Sequence, residues 1–582
     1  MNWDREVDLV VAGAGAGGMA AALTARILGL DVLIAEKTDR VGGSTAISGG
    51  AVWLPGNHQA AQAGHPDTRE RIDAYMAATV GEAAPARVLD TYIAAGPRML
   101  EFLSARTHLQ LVARTYSPDY YPDRAGASFG GRALDPAEFD GRLLGRDFAR
   151  LRDPLPEFMV LGGMMVNMND VWHLLAATRS FTSWRHGMRL IRRYASDRLR
   201  GYHRGTRLVL GNALAARLFR SVLDRAISVW LESPIESLER GGPDGPVTGA
   251  VIRHDGRSVR VRARRGVVIA TGGFAWDKTL RGETFPEPTG PWSMAPAGNA
   301  GDGIRVARAV GGTLRAGNLS PAFWAPVSVL EREDGSIIRY PHLVWDRAKP
   351  GLIAVNASGR RFVNEATSYH EFVIGMYRSH RDVPSVPAFL LADHDFMERF
   401  GLGLALPGGR PRQHLVKAGY LVKANDLAAL AAALRLPAEQ LQRTVERYNE
   451  HAARGEDPDF GKGSTEYNRY LGAPNHRPNP CLAPIVKPPF YAVRVYPGDI
   501  GTALGLAVDD QARVLDAAGD PIEGLYCAGN DMGSVLAGAY PGPGITLGPA
   551  LTFGYVAGMS AAGKDACTET ALANGNESAI AQ

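Results

Sequence analysis

The run Gly13-Ala14-Gly15-Ala16-Gly17-Gly18, followed further along by the acid Glu36, is the part of this chain best suited to hold a dinucleotide. Gly13 permits a tight turn, Gly15 lets a pyrophosphate come against the backbone, and Gly18 lets the next helix pack closely on the strand before it. The free N–H groups at the start of that helix would face the phosphates. The surrounding pattern fits: Val7 to Ala12 is a short apolar β-type run, the stretch through Ala25 is alanine-rich and helical, and a second strand from Asp31 to Ala35 ends in Glu36, where an acid binds a ribose hydroxyl. A glycine turn with no ligand would leave Glu36 unexplained.

Later segments favour FAD over NAD. Gly43, Ser44 and Thr45, in Val41-Gly42-Gly43-Ser44-Thr45, together with Ser48-Gly49-Gly50, extend a phosphate-side loop that NAD enzymes do not need. Residues 247–269 read as a β-meander returning to the sheet, and its last strand runs into the turn Ala270-Thr271-Gly272-Gly273. Near the far end, a strand from Gly524 runs to Gly529 and Asn530, and Gly544-Ile545-Thr546-Leu547 enters a helix. The positive amino end of that helix, with Ile545 and Leu547, is expected beside the flavin pyrimidine, where it makes the flavin a better oxidant. No histidine occupies the early flavin loop, so the FAD is expected to be non-covalent.

Three further motifs carry a family resemblance: Asp119-Tyr120-Tyr121-Pro122; Arg361-Phe362-Val363-Asn364-Glu365 with Tyr369 four residues on; and Tyr540-Pro541-Gly542-Pro543-Gly544. With the flavin motifs, they resemble the 3-ketosteroid 1-dehydrogenases of the fumarate-reductase-like flavoproteins over nearly the whole chain. The resemblance implies that the Tyr540 hydroxyl and the Gly544 N–H bind the steroid C3 carbonyl. It implies that Tyr369 takes a proton from C2 and that Tyr120 assists, with Tyr121 the alternative. Its partners would be a 3-ketosteroid and an electron acceptor such as a quinone.

The chemistry is consistent with these residue types. A C–H bond beside a carbonyl is a poor acid, so two donors on the oxygen stabilise the enolate that forms as the proton leaves. A tyrosine titrates near 10 in water, so Tyr369 needs a neighbour that shares the proton. Loss of the C2 proton eases hydride departure from C1 to flavin N5, giving the 1,2-unsaturated ketone. Related alternatives are a steroid 4-dehydrogenase and an enoate- or fumarate-type reductase. Reductases of that type use an Arg-Gly-Glu-Gly run as proton donor, and the comparable stretch here is Arg347-Ala348-Lys349-Pro350-Gly351.

These motifs must be positioned by a chain of 582 residues, too long for one simple core. The expected fold class is α/β: a discontinuous Rossmann-type FAD-binding domain, residues 1–280 and 490–582, with an inserted α+β catalytic domain at 281–489. The inserted part carries a helical stretch from Asn425 to Gly455, and Pro484 to Phe490 marks the return. A helical excursion is expected at about 150–230. It holds twelve arginines and no lysine between Arg179 and Arg225, against Asp197 and Asp224. Its two readings are a solvated helical face and a membrane-surface patch. No recognised module surrounds it, so nucleic acid is not an expected partner.

No apolar run reaches the roughly 20 residues that span a bilayer, and the first residues lack a secretory core, so a cytoplasmic location is expected. Three cysteines, Cys481, Cys527 and Cys567, have no metal-ligand spacing, and no metal is expected.

Overall fold

The computed structural model describes residues 3–242 and 244–568. The apolar run that precedes the glycine turn forms the strand Arg5–Ala12, in which Val7, Leu9, Val10 and Val11 are wholly buried. Burial on both faces is what a central parallel strand requires when helices cover the sheet. It pairs in parallel with Val32–Ala35 on one side and Arg257–Ile269 on the other. The sheet continues through Ser228–Trp230 at one edge and the antiparallel Val247–His254 and Ile235–Arg240 at the other. Pro521–Cys527, from the far end of the chain, pairs in parallel with Arg257–Ile269 and carries Arg513–Leu515.

Two helices of small residues lie against each other beside this sheet, Ala16–Ile27 and Leu547–Ala561. Their backbones approach closely because glycine faces glycine: a Cβ on Gly554 would stand 2.3 Å from the Gly17 carbonyl oxygen, and one on Gly558 2.8 Å from that of Ala21. This contact brings the last helix of the chain to the first phosphate turn.

The second sheet is antiparallel. Its order is Ile337–Pro341, Ala322–Glu331, Phe490–Thr502, Ala388–Ala392 and Leu352–Val355, with Leu421–Ala424 also paired to Phe490–Thr502. The strand after Pro488-Pro489 therefore belongs to the inserted sheet, and the chain rejoins the first sheet at Arg513, beyond the expected boundary at 490. The physical reason is length: this 13-residue strand pairs with Ala388–Ala392 and Leu421–Ala424 through its first half and with Ala322–Glu331 through its second. The expected helical stretch from Asn425 is two helices, Leu427–Leu434 and Ala438–Arg454, broken at Arg435 (φ 60°) and Pro437. Tyr369–His380 packs on Ala322–Glu331.

The helical excursion divides in two. Met168–Leu175 and Phe181–Leu199 form a hairpin with a small core of Met164, Val166 and Leu190. Leu210–Asp224 instead lies buried against Ala16–Ile27 and belongs to the cofactor domain. Its arginines are absorbed: Arg217 donates to the carbonyls of Ala137, His108 and Glu138.

Gly554→Val should destabilise the protein by about 1–3 kcal/mol through overpacking and weaken FAD retention. Gly282→Ala, whose new Cβ meets nothing within 4 Å, should stabilise it by about 0.4–1 kcal/mol. Urea unfolding of both variants checks the pair; equal stabilities would show that the helix contact is loose.

Candidate active site

One cavity of about 1990 Å³ is lined by both groups of residues picked out from the sequence. Its lining includes Gly13, Gly15, Glu36, Gly43, Ser44, Thr45, Ala270, Thr271, Gly272, Gly529, Asn530 and Leu547. It also includes Tyr120, Tyr369, Tyr540 and Gly544. Gly18 and Ile545 lie outside the lining. Gly18 acts in packing, since a Cβ there would stand 2.0 Å from the Gly13 carbonyl oxygen, and Ile545 is buried.

The first of these groups fits a dinucleotide. A Cβ on Gly15 would meet only Thr45 Oγ1, at 4.0 Å, so the backbone there is open to the cavity. Glu36 is fixed at the end of its strand by accepting from the Ala14 N–H (2.9 Å), the Thr38 N–H (2.9 Å) and the Thr38 hydroxyl (2.8 Å). Thr45 Oγ1 accepts from the Ala16 N–H at 3.0 Å, which ties the two phosphate loops together. The helix Leu547–Ala561 has no acid in its first turn, so its positive end is uncompensated by its own residues.

Asp531 was not picked out from the sequence. It is fully buried beside Asn530 and accepts from the Thr271 hydroxyl and the Gly272 and Gly273 N–H groups, which shapes the turn after Arg257–Ile269. Burial pushes its carboxyl up to about 6. A turn-forming acid is common in sequences, and only the fold shows what this one holds.

In the second group, the Tyr120 hydroxyl donates to the Tyr369 hydroxyl at 3.0 Å. Tyr540 stacks on Tyr120 with ring centroids 5.4 Å apart and meets Tyr369 edge-on at 5.1 Å. Tyr369 begins its helix, capped by Ser368, whose hydroxyl accepts from the Glu371 N–H. The neighbouring Tyr121 turns away and donates to Glu371 at 2.6 Å. Burial pushes Tyr369, Tyr120 and Tyr540 all upward from the ordinary tyrosine value.

The loops that carry these tyrosines are bound to each other. The Tyr120 N–H and the Tyr75 hydroxyl both donate to the Pro541 carbonyl, at 2.8 and 2.7 Å. Asp119 accepts from Trp53 Nε1 (3.0 Å) and from Arg132 (2.7 Å), and Arg132 also pairs with Asp67 at 2.7 Å. All of this is buried. Gly542 sits against the Trp53 ring, and Gly544, at φ +100°, accepts from the Trp53 N–H at 3.1 Å. Asp119 stood in a quoted motif, but Arg132, Asp67 and Tyr75 carried no signal in the sequence. His370, beside Tyr540, accepts from the Trp324 N–H through Nδ1 at 3.2 Å, and burial pulls its imidazole down to about 3.

A dinucleotide cradle opening onto a cluster of buried tyrosines defines a flavin-dependent oxidoreductase. A model of the FAD binding domain family matches residues 8–547. The chain belongs to that family, among whose members it stands with the 3-oxosteroid 1-dehydrogenases. It is 35% identical to a 3-oxosteroid 1-dehydrogenase of Mycolicibacterium smegmatis over 96% of this chain and 97% of the relative. It is 39% identical to a 4-oxocyclohex-2-ene-1-carboxylate 5-dehydrogenase of Sinomonas cyclohexanicum, over 95% and 93% of the two chains. Its structure matches a 3-ketosteroid delta1-dehydrogenase of Sterolibacterium denitrificans, solved with 1,4-androstadiene-3,17-dione, with a TM-score of 0.90, 38% identity and coverage of 96% and 100%.

The state of His370 has a pH consequence. The folded imidazole stays neutral down to about pH 3, whereas the unfolded one takes a proton near 6.5. Between these values the unfolded state binds the extra proton, so stability falls as pH drops, by at most about 1.4 kcal/mol per pH unit from this group. Urea unfolding between those limits should show this slope in the wild type and a shallower one in His370→Gln; identical slopes would exclude the imidazole as its source.

Proposed function

We propose that this protein dehydrogenates the C1–C2 bond of 3-ketosteroids, turning a 3-keto-4-ene into a 1,4-diene-3-one. The hydrogen-bonded pair of Tyr120 and Tyr369, with Tyr540 stacked beside them in the cofactor cavity, carries this reading. FAD, held by Gly13, Gly15, Glu36 and Thr45, would supply the acceptor for the C1 hydride and the link to an external electron acceptor such as a quinone. Tyr369 removes the C2 proton and Tyr120 shares it. Tyr540 and the Gly544 N–H donate to the C3 oxygen as negative charge develops there. Ser368 caps the helix that Tyr369 begins, and the Pro541 carbonyl, accepting from the Tyr120 N–H, ties the Tyr120 loop to the Tyr540 loop.

The shape of the rest of the cavity supports a polycyclic substrate. Beyond the tyrosines it is lined by Met159, Met164, Trp172, Leu343, Trp345 and Phe400, apolar walls suited to fused hydrocarbon rings. The reductase alternative loses support from the place of Arg347 and Lys349, which are buried and donate to backbone carbonyls.

We further propose that the hairpin of Met168–Leu175 and Phe181–Leu199 lies on an anionic lipid surface and collects the water-insoluble steroid. Among the described residues, the guanidinium groups of Arg179, Arg185, Arg189, Arg192 and Arg200 have no hydrogen-bond or ion-pair partner. Phe181 and Leu199 are 74% and 89% exposed, and Trp172 of the same hairpin also lines the cavity. No helix of the described residues is long and apolar enough to cross a membrane. Replacing Arg185, Arg189 and Arg192 together by Glu should abolish flotation with anionic liposomes at low salt while FAD stays bound. Unchanged flotation would remove the hairpin as the contact.

Tyr369→Phe and Tyr540→Phe should both cripple turnover of androst-4-ene-3,17-dione, by separable routes. Loss of Tyr369 should lower kcat by about 10²- to 10⁴-fold with steroid binding kept. Loss of Tyr540 should cost about 2.7–4 kcal/mol in the transition state. Anaerobic flavin reduction by steroid deuterated at C1 or at C2 distinguishes them. A wild type reduced by 4-oxocyclohex-2-ene-1-carboxylate and by no 3-ketosteroid would transfer the reading to a monocyclic substrate.

A further inference from the structure

Two polar side chains on the cavity wall, Glu157 and Tyr340, lie near each other and stand apart from the tyrosine cluster. The strand Ala322–Glu331 connects the two places. Near its start, Phe323 meets Tyr540 edge-on with ring centroids 5.8 Å apart. Further along, Ser328 pairs across the sheet with Tyr340. Five residues of strand span roughly 16 Å, a length comparable with the long axis of a four-ring nucleus and its end substituent.

The groups around Tyr340 bond among themselves. His342 uses both ring nitrogens, Nδ1 with Asp346 at 2.6 Å and Nε2 with Ser328 Oγ at 2.8 Å. Ser328 Oγ also bonds the Tyr420 hydroxyl at 2.7 Å, and Tyr420 accepts from the Leu404 N–H at 3.0 Å. All four of these side chains are buried. Tyr340 is not part of this chain, although its ring lies edge-on to His342 at 5.1 Å. Among the described residues, its hydroxyl makes no hydrogen bond. Burial, with Asp346, Tyr420 and Glu157 nearby, pushes that hydroxyl upward, so it stays a neutral donor.

Glu157 belongs to the short turn Pro156–Phe158 and lines the same cavity. Its Oε2 is buried and has no hydrogen-bond partner. Burial pushes the carboxyl up, and only its own backbone N–H counters this; among the described residues no arginine or lysine pairs with it. It lies within electrostatic reach of the Tyr340 and Tyr420 hydroxyls. Phe158 and Leu404 make the wall beside these groups apolar. A carboxyl left unpaired in such surroundings is costly unless a ligand completes it.

The two groups are complementary. A carboxyl offers acceptor oxygens, a phenol offers a donor hydrogen, and a hydroxyl group is both donor and acceptor. We propose that Glu157 and Tyr340 bind an alcohol on the far ring of the substrate, whose hydroxyl donates to Glu157 and accepts from Tyr340. The favoured substrates are then 3-ketosteroids with a hydroxyl at the end opposite the carbonyl, such as 17β-hydroxyandrost-4-en-3-one. A hydrocarbon end would leave both protein groups desolvated and unpaired, which is how a polar site rejects an analogue that lacks the hydroxyl. Bound at both ends, the ring system has its long axis fixed, with the C3 oxygen at Tyr540 and Gly544.

The alcohol site rests on the dehydrogenase reading, and steroid affinity and flavin reduction test the two separately. Affinity is read as the steroid Kd by equilibrium dialysis against chemically reduced holoenzyme, whose flavin can take no further hydride. The ligands are 17β-hydroxyandrost-4-en-3-one and androst-4-en-3-one, which lacks the far oxygen. Glu157→Leu and Tyr340→Phe should each weaken binding of the alcohol by roughly 10-fold or more. Both variants should hold androst-4-en-3-one no more weakly than the wild type does. Glu157→Gln, which keeps an acceptor oxygen, should retain most of the affinity for the alcohol. Unchanged affinity for the alcohol in either Glu157→Leu or Tyr340→Phe would overturn the site. So would an equal loss for both steroids, which is what a wall contributing only shape would give. If the oxidised wild-type flavin is reduced by neither steroid, the dehydrogenase reading fails, whatever the affinities. Reduction by both steroids, with alcohol affinity unchanged in the variants, would remove the alcohol site alone.

Discussion

The buried guanidinium of Arg132, shared between Asp67 and Asp119, is the interaction on which the tyrosine site depends. Asp119 and Tyr120 are neighbours in sequence, so fixing one carboxylate fixes the ring beside it. The same Asp119 holds Trp53, and Trp53 in turn seats Gly542 and Gly544. Breaking a buried ion pair on one side costs about 3–5 kcal/mol because it strands a charge. That cost falls on several loops at once, since Tyr75, Tyr120 and the Pro541 carbonyl belong to the same assembly. The site is therefore rigid, although loops carry most of it.

Rigidity suits the chemistry. Donors aimed in advance at a developing oxyanion need no reorganisation during the reaction, and a dry surrounding makes each of them stronger. The same dryness disfavours a phenolate, and burial drives Tyr369, Tyr120 and Tyr540 toward the neutral phenol. Burial thus strengthens the oxygen-binding donors while making the proton acceptor harder to ionise.

The cavity is assembled from distant parts of the chain. Glycine contacts let the last helix lie on the first, which brings Gly544 and Leu547 to the phosphate turn of Gly13 and Gly15. The long strand Phe490–Thr502 ties the inserted sheet together and places the Tyr369 helix over the same space. At the open side, the arginine-bearing hairpin adds a face that is both apolar and basic.

Sequence alone determined the local devices. The glycine turn with Glu36 and the strand of Val7 to Ala12 are legible because each needs a particular residue at a particular backbone position. The Tyr540 to Gly544 loop and the Tyr369 position were read from their motifs, through family resemblance. Tertiary structure decided what depends on contacts between remote segments. It turned Tyr121 toward Glu371 and Tyr120 toward Tyr369, a choice two adjacent tyrosines cannot reveal in a sequence. It buried Leu210–Asp224 while leaving the preceding hairpin exposed, because similar arginine-rich helices differ in which carbonyls and acids lie within reach. It also packed Tyr467 against Tyr120, a contact between remote segments that no spacing along the chain encodes.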